Sequence, residues 1–285
     1  MPCVVSAQKS RKKAGDGKVV WGTGITIFSA VPVVMPSTCG GKMKPRLKPV
    51  IKVNENRSSV SEWIVDKFPE NYREMTYLEP FVGGGSVLLN KDPSVEELIN
   101  DSDSDLIGSW RSIRDEYKLF ISKIKRIEHK EAIFKRYQKK YETDYLNVGV
   151  KDFVLRHMSK SGLKKTYLPK EKNIKCGDCW CDLLELIPEV SERIKDIFIL
   201  NKDAIAIIRA FSHKDCLIYC DPPFSQGKDS EMDVNKHVEL SEALKEFRGK
   251  VIISAANTSL YRRLYAGWAR KGIPRDSKDS IWFNF

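Results

Sequence analysis

Short apolar runs separated by stretches of helical periodicity make up most of the chain after residue 48. Short runs bounded by turn residues are typical of buried strands, and apolar residues spaced three and four apart are typical of helices that pack on a sheet. The predicted strands are Tyr77–Phe81, Val95–Asn100, Asp196–Leu200, Cys216–Cys220, Lys250–Ser254 and Ile281–Phe285, and the predicted helices include Leu183–Ile194, Ala204–Phe211, Val238–Phe247 and Leu260–Trp268. This alternation predicts an α/β fold with a mostly parallel sheet and helices on both faces.

A long helical stretch interrupts the alternation in the middle of the chain. Apolar residues recur at helical spacing from Leu106 to about Glu142, and Val150–Met158 is a second predicted helix. We therefore expect one sheet domain built from residues 48–108 and 196–285, with a helical insert at residues 109–195.

The positive charge of the chain is concentrated in two places. The net charge is +11, but residues 1–48 carry +8 and residues 109–175 carry +11, so the remaining segments sum to −8. A basic cluster is an electrostatic footprint for nucleic acid, although a run of lysines is more often a solvated surface. Basic and hydroxyl side chains around a glycine in the insert suit phosphate contacts. The predicted DNA-binding residues are Lys160, Ser161, Lys164, Lys165 and Tyr167.

Residues 1–47 combine glycine, proline, serine and lysine with little periodicity, and this composition predicts a mostly disordered extension. An apolar patch at 25–35 imitates a secretory signal peptide, but prolines interrupt it and it is too short to span a bilayer. The family resemblance described below begins near Lys48. Met43 is therefore an alternative start to Met1, which would make the tail a non-native extension.

The tetrad Asp221-Pro222-Pro223-Phe224 directly follows the apolar run Cys216–Cys220. Ligands lie at the carboxyl ends of strands in open α/β sheets, and the two prolines fix the backbone there. Asp221 and the carbonyl of Pro222 can each accept one N–H of an exocyclic amino group, while Phe224 can stack on the heterocycle that carries it. The alternative is that the tetrad is only a stiff turn.

A second motif combines a strand end, a glycine turn and a helix start. Glycines occupy positions 83–85, and Asp101 lies eighteen residues after the first of them. Nucleotide-like cofactors bind βαβ units of this layout, because glycines permit close approach of the backbone and a later acid accepts hydrogen bonds from the ribose hydroxyls. For Asp101 the alternative is a helix N-cap.

The glycine turn and the tetrad, in this order, resemble the motifs of amino-group methyltransferases that use S-adenosylmethionine. More narrowly, the chain resembles the DNA adenine methyltransferases of the Dam type from about Lys48 to Phe285. The resemblance is carried by EPFVGGGSVLLN (79–90), INDSDSDL (99–106), FVLRHMSKSGLKKTY (153–167), ILNKDAIAII (199–208), CDPPF (220–224), GKVIIS (249–254) and SIWFNF (280–285). It implies a Rossmann-like methyltransferase sheet, a target-recognition role for the insert, and site-specific methyl transfer from S-adenosylmethionine to N6 of a flipped adenine in DNA.

The resemblance also implies roles for individual residues. Those expected to act on the adenine are Asp221, Pro222, Pro223 and Phe224. Those expected to bind S-adenosylmethionine are Lys52, Val53, Arg57, Glu79, Phe81, Gly83, Gly85, Asp101, Asp203 and Asp221. By match to the family, Asp101 takes the ribose and the N-cap is left to Asp103 or Ser104. A capping role at the end of a strand or the start of a helix stays open for Glu79 and Asp203.

Two departures from the family keep other functions open. The family has an aromatic residue and a Gly-Gly pair where this chain has Val53 and Asn54-Glu55-Asn56, and its loop after the tetrad is longer than 225–230. A degenerate, catalytically weak DNA-binding relative is therefore one alternative. N4-cytosine methylation is another, because any flipped base with an exocyclic amine fits the tetrad, although the order of the motifs favours adenine.

The chain contains seven cysteines, and together with a cofactor found inside cells they favour a reducing, cytoplasmic location. Cys176, Cys179 and Cys181 lack the second pair of a zinc knuckle, so we expect no metal. The resemblance implies double-stranded DNA as the partner of a monomer that binds no membrane. A cognate restriction endonuclease, as in restriction-modification systems, stays open as a second partner.

Overall fold

The structure is a computed structural model that describes residues 47–54, 57–169, 181–223, 232–274 and 278–285, together with the backbone of two short strands near the N-terminus. The chain divides into two compact units, Met1–Pro45 and Arg46–Phe285. In the first unit, β1 (Lys18–Val20) and β2 (Thr26–Phe28) pair antiparallel. The rest of the expected N-terminal extension up to residue 46 lies outside the described residues.

A seven-stranded sheet forms the centre of the second unit. Its strands are β3 (Thr76–Glu79), β4 (Glu96–Asn100), β5 (Phe198–Leu200), β6 (Cys216–Cys220), β7 (Lys250–Ala256), β8 (Ala269–Gly272) and β9 (Asp279–Phe283). They are arranged in the order β5-β4-β3-β6-β7-β9-β8. The first five in this order pair in parallel, whereas β9 pairs antiparallel with both β7 and β8. The prediction of a mostly parallel α/β sheet is therefore confirmed.

Strands β3 and β6 lie side by side in the middle of this sheet, and all of their residues are buried. Strands that are covered on both faces read as continuous apolar runs, which is why the pattern alone located β6. Leu78 of β3 is level with Ile218 of β6 in the parallel register. The segments that follow the two strands therefore leave the sheet at the same edge.

Nine α-helices surround the sheet or form the insert in the described part of the second unit. They are α1 (Ser61–Val65), α2 (Ser86–Asn90), α3 (Ser104–Lys125), α4 (Glu131–Lys139), α5 (Tyr145–His157), α6 (Cys181–Ile194), α7 (Ala204–Ala210), α8 (Val234–Glu246) and α9 (Ser259–Leu264). Short 3-10 turns occupy Tyr72–Glu74 and Lys160–Gly162. No helix in the described ranges is both long and apolar enough to cross a bilayer.

The helical periodicity predicted from Leu106 to about Glu142 is broken in the structure. Helix α3 ends at Lys125 and α4 begins at Glu131, after an extended Lys130. The periodicity did not reveal the break because both helices bury an apolar face in the same core, with Phe120 and Ile124 on α3 and Phe134 and Tyr137 on α4. Strand β8 was not predicted either, since Ala-Arg-Lys-Gly is exposed at the sheet edge and carries no apolar alternation.

Two glycines allow α5 to pack closely on α3. A Cβ placed on Gly149 of α5 would lie 2.6 Å from the carbonyl oxygen of Gly108 on α3 and would overlap Ser112 Oγ. The hydroxyl of Ser109 donates to the carbonyl oxygen of Gly149 at 3.1 Å and to Asp152 Oδ2 at 2.9 Å. The crossing of α3 and α5 is therefore a backbone-to-backbone contact that a larger residue would separate.

We expect Gly149→Ala to lower the free energy of unfolding by about 1–3 kcal/mol, because an added methyl group overpacks this crossing. In an unpacked helix the same change would stabilise the protein by about 1 kcal/mol through helix propensity. The measurement is urea denaturation of both proteins. Gly272→Ala is the control, since no atom of the described part of the chain beyond the neighbours of Gly272 lies within 4 Å of its Cβ position. A stabilised Gly149→Ala protein would contradict the close crossing.

Candidate active site

The predicted catalytic acid follows β6 and is held by an arginine from the segment before α1. Arg57 Nε donates to both carboxylate oxygens of Asp221, at 3.1 Å to Oδ1 and 3.0 Å to Oδ2. Arg57 Nη2 donates to Oδ1 at 2.9 Å. Such bidentate pairs fix orientation as well as charge. Asp221 therefore has a defined position at the end of its strand before any ligand binds.

The same arginine contacts a second carboxylate that we did not single out from the sequence. Arg57 Nη1 donates to Asp279 Oδ2 at 2.7 Å, and Asp279 is the first residue of β9. Asp279 precedes the stretch that we predicted as the last strand, and a lone acid before an apolar run gives no signal for such a contact. The arginine thus bridges two acids that are far apart in the sequence.

Burial and this ion pair act in opposite directions on Asp221. Burial raises the pKa of Asp221 above its ordinary value, and Arg57 opposes that rise through its charge and its hydrogen bonds. Burial also disfavours the charge on Arg57, but the attraction of Asp221 and Asp279 outweighs this and raises the pKa of Arg57. The pairing therefore favours the anionic form of an acid that burial drives towards its neutral form.

The glycine turn follows β3, which is the neighbour of β6. Gly83 and Gly85 have φ values of 49° and 69°, in the left-handed region that favours glycine. A Cβ on Gly85 would meet the ring of Trp110 at 2.7 Å, and Trp110 Nε1 donates to the carbonyl oxygen of Gly83 at 3.0 Å. The turn is therefore shaped by its own backbone and by a buried tryptophan of α3.

The segment at residues 47–54 covers this turn. A Cβ on Gly84 would lie 3.0 Å from the carbonyl oxygen of Ile51 and 3.3 Å from Val53 Cγ2. Lys52 Nζ donates to the carbonyl oxygen of Ser159 at 2.9 Å, on the side of the helical insert. Val53 thus lies against the glycine turn, while Lys52 contacts the segment after α5. Cofactor binding by either residue stays a prediction. Glu55 lies outside the described residues.

Asp101 follows β4 and turns back to the glycine turn. Its Oδ2 accepts a hydrogen bond from Gly83 N at 3.1 Å, and its Oδ1 accepts one from Asp103 N at 3.0 Å. Burial raises the pKa of Asp101, although both backbone N–H groups oppose this. Asp103 is the N-cap of α3 and accepts hydrogen bonds from the backbone N–H groups of Asp105 and Leu106. The N-cap of α3 is therefore Asp103, and Asp101 lies beside the glycine turn.

Glu79, the last residue of β3, is only 2% exposed. Burial raises the pKa of Glu79 to about 8, against the opposing effect of the Tyr77 hydroxyl, which donates to Glu79 Oε2 at 2.9 Å. The carboxyl group is therefore mostly uncharged at neutral pH and can donate as well as accept a hydrogen bond. The Tyr77 hydroxyl is its partner in the structure, and contact of Glu79 with a ligand stays a prediction.

The remaining expected cofactor residues are less informative. Phe81 is half-buried at the start of the glycine turn. Asp203 is exposed and caps α7 by accepting from Ala206 N at 2.9 Å, which matches the alternative role that the sequence left open. Phe224 and the short loop after it lie outside the described residues, as do Cys176 and Cys179.

The predicted DNA-binding segment forms a tight turn after α5. Ser161 and Lys164 have φ values of 54° and 61°, which are unusual for residues with a side chain. A Cβ on Gly162 between them would lie 2.7 Å from the carbonyl oxygen of Lys52. The turn therefore packs against the segment that covers the glycine turn.

The basic side chains of this turn point in different directions. Lys160 and Lys165 are exposed, whereas Tyr167 is half-buried and packs against the ring of Phe134 at 5.7 Å. Lys164 Nζ contacts Asp152 Oδ1 at 2.9 Å and Asp103 Oδ2 at 3.4 Å. Lys164 therefore joins the turn to α5 and to the N-cap of α3.

Three acids in this region lie close enough together to suggest a metal-binding site. Asp103, Asp105 and Asp152 offer oxygen atoms within 4.8 Å of one another. Lys164 contacts all three, and Arg156 donates to Asp152 at 2.8 Å and to Asp103 at 2.6 Å. Two cations of the protein itself, Lys164 and Arg156, therefore already pair with this cluster of three acids.

Comparison with known proteins connects this geometry with an enzyme family. The model of the family described as D12 class N6 adenine-specific DNA methyltransferase matches residues 56–278. Among curated proteins, the Type II methyltransferase M.CviBI of Paramecium bursaria Chlorella virus NC1A is 22% identical over 230 residues, which cover 78% of this chain and 88% of that protein. The DNA adenine methylase of Vibrio cholerae serotype O1 is 27% identical over 225 residues, covering 67% and 76%. The DNA N-6-adenine-methyltransferase of Escherichia phage P1 is 26% identical over 249 residues, covering 79% and 32%.

The raised pKa of Glu79 predicts a pH-dependent contribution to stability. Between about pH 5 and about pH 8 the folded protein keeps a proton on Glu79 that the unfolded chain releases, so this group destabilises the fold as the pH rises. Glu79→Gln removes the proton exchange. Its free energy of unfolding, relative to the wild type, should therefore increase by a few kcal/mol from about pH 5 to about pH 8.

Urea denaturation at both pH values measures this difference. The control is Glu74→Gln, at an exposed glutamate of the 3-10 turn before β3, which should show no such trend. A Glu79→Gln protein whose relative stability is independent of pH would show that Glu79 is ionised throughout.

Proposed function

We infer that this chain, which belongs to the D12 class of N6 adenine-specific DNA methyltransferases, uses S-adenosylmethionine to methylate a flipped adenine of double-stranded DNA. Membership of the class makes the chain a DNA methyltransferase that acts on N6 of adenine. The donor, the duplex and the flipped base are our proposal. It is carried by one observation, the meeting of the glycine turn after β3 and Asp221-Pro222 after β6 at the same sheet edge.

The residues around the glycine turn fit this donor. Among the described residues, no atom beyond the chain neighbours of Gly83 lies within 4 Å of a Cβ position there, so a ligand can approach this part of the backbone. Each carboxylate oxygen of Asp101 accepts one backbone N–H and has a further lone pair for a ribose hydroxyl. When bound, S-adenosylmethionine supplies a methyl group on a positively charged sulfonium, which is open to attack by a nucleophile.

The adenine amine must be made more nucleophilic, because its lone pair is delocalised into the ring. Hydrogen bonds from N6 to Asp221 and to the carbonyl of Pro222 favour the less delocalised form of the amine. Asp221 Oδ2 accepts only one bond from Arg57 and keeps a lone pair for this purpose. No general base needs to act first. N6 would bond to the methyl group as the bond between that carbon and sulfur breaks, which would release S-adenosylhomocysteine, and the cationic nitrogen would then give its proton to Asp221 or to water. The protein contributes positioning and electrostatic stabilisation.

A base inside a duplex cannot reach this edge of the sheet, so the adenine has to leave the stack. Extrusion costs a few kcal/mol of stacking and pairing energy, which contacts with the flipped base offset. We assign the stacking contact to Phe224, which has the ring but not the hydroxyl of the tyrosine more usual in the family. The exposed Lys160 and Lys165 are the best candidates in the turn after α5 for contacts with DNA phosphates.

The direct test is incubation of the protein with S-adenosylmethionine and duplex DNA, followed by mass spectrometry of the nucleosides. N6-methyladenine that appears only with both components supports the proposal. N4-methylcytosine would identify the other amino-group chemistry. Salt-dependent DNA binding without any methylated product, and without cofactor binding by calorimetry, would instead support a degenerate DNA-binding relative.

We expect Asp221→Asn to lower kcat for methyl transfer by about 10²–10³-fold, because the amide presents a weaker acceptor and a new N–H donor where the amine needs an acceptor. DNA affinity should change much less. The assay is transfer of tritiated methyl groups at saturating substrates, with thermal unfolding as a check, since Arg57 loses a charged partner. Asp92→Asn is the matched control, because Asp92 pairs with Arg73 on the exposed surface. Full activity of Asp221→Asn would refute the assignment.

The two neighbouring lysines of the turn should behave differently when replaced. Lys165→Ala should weaken DNA binding and reduce the slope of log K against log salt by about one unit, as expected for loss of one phosphate contact. Lys164→Ala should mainly lower stability, because it leaves the buried Asp152 with one cation fewer. Fluorescence anisotropy over a salt series and urea denaturation measure the two effects. Lys245→Ala, at an exposed lysine of α8, serves as the control. An unchanged salt slope for Lys165→Ala would remove it from the DNA interface.

A further inference from the structure

We propose that Asp279 is a positioning residue for methyl transfer, because its carboxylate anchors Arg57 and Arg57 in turn holds Asp221 in place for the incoming amine. The inference rests on the proposed role of Asp221. It adds to that role a residue from the antiparallel end of the sheet, outside the glycine turn and the tetrad.

The geometry around Arg57 leaves its side chain little freedom. Nε and Nη2 face Asp221, and Nη1 faces Asp279 at 2.7 Å. The side chains of Arg57, Asp221 and Asp279 are 10%, 19% and 15% exposed. Because the guanidinium is planar and rigid, the contact on one side fixes the angle of the donors on the other. Asp279 thus determines the angle at which Nε and Nη2 of Arg57 face Asp221.

The three residues come from separate parts of the fold. Arg57 precedes α1, Asp221 follows β6, and Asp279 begins β9, level with Ala256 of β7. Strand β7 lies between β6 and β9, so the arginine reaches across the end of β7 from one acid to the other. The position of the Arg57 side chain therefore depends on the position of β9 in the sheet.

Replacement of Asp279 can change the pKa of Asp221 in two ways, which shift it in opposite directions. If Arg57 stays in place, loss of the Asp279 charge removes a neighbouring anion and lowers the pKa of Asp221. If Arg57 instead loses its anchor and moves, Asp221 loses its main counter-charge and its pKa rises. The proposal requires the second outcome. The other titratable groups that interact with Asp221 are Glu79 on β3, Tyr219 and Cys220 on β6, and Tyr261 on α9.

The test is a titration of Asp221 in the free protein, followed by carbon NMR of aspartate labelled at the carboxyl carbon and assigned with Asp221→Asn. In Asp279→Asn we expect the titration of Asp221 to move to higher pH and the acidic limb of the kcat profile to move with it. We also expect kcat to fall about ten- to hundredfold with little change in KM, since an orientation is lost and no substrate contact is removed. Asp279→Glu should restore part of the rate, and Asp92→Asn should change nothing.

A shift of the Asp221 titration to lower pH, or no shift, would overturn the proposal. If Asp279→Asn does not fold, Arg57→Lys is the second variant. An ammonium keeps the charge but lacks the separate N–H donors that the guanidinium directs at the two acids. Arg57→Lys should likewise move the Asp221 titration upwards, and an unchanged titration would again refute the proposal. The titration needs neither donor nor DNA. A wild-type protein that does not methylate adenine would therefore contradict the proposed function alone.

Discussion

The ion pair between Arg57 and Asp221 is the interaction on which the site depends. Burial drives Asp221, at the end of a buried strand, towards its neutral form, and the charge and hydrogen bonds of Arg57 oppose this. Arg57 supplies that charge through two hydrogen-bonding nitrogens, and Asp279 holds it from the other side. The segment before α1, the end of β6 and the start of β9 must therefore come together before Asp221 takes the position from which we propose that it accepts a hydrogen bond from a substrate amine.

The helices between β4 and β5 are tied to the residues around the glycine turn by packing and polar contacts. Gly149 brings α5 against α3, Gly162 brings the basic turn against Lys52, and Lys164 links that turn to the N-cap of α3. A segment predicted to contact DNA is thus in direct contact with the residues that surround the glycine turn. Binding of DNA at Lys160 or Lys165 would act on a surface that is continuous with the proposed donor site.

Much of the fold and part of the site could be predicted from local sequence. The sheet class, the buried strand β6 and the glycine turn follow from short-range signals, because burial on both faces and positive φ each require particular residue types at adjacent positions. The N-cap of α3 was narrowed only to Asp103 or Ser104, by match to the family, and the structure shows that it is Asp103. The break between α3 and α4 was missed because both helices keep the same apolar face. Strand β8 was missed because an exposed edge strand requires no apolar residues.

The sequence by itself determined the chemistry available to this protein, namely a glycine turn, an acid after β4 and an Asp-Pro-Pro corner after a buried strand, in an order typical of N6-adenine methyltransferases. Only the tertiary structure decided which charges meet. Arg57 was assigned to the cofactor and is paired with Asp221, and Lys164 was assigned to DNA and is paired with Asp152. Asp279 carried no signal at all, because its partner lies 222 residues away in the chain. Pairing of charges depends on distance in space, and local sequence patterns do not encode that distance. Strands and turns depend on neighbouring residues along the chain, and local patterns do encode those neighbours.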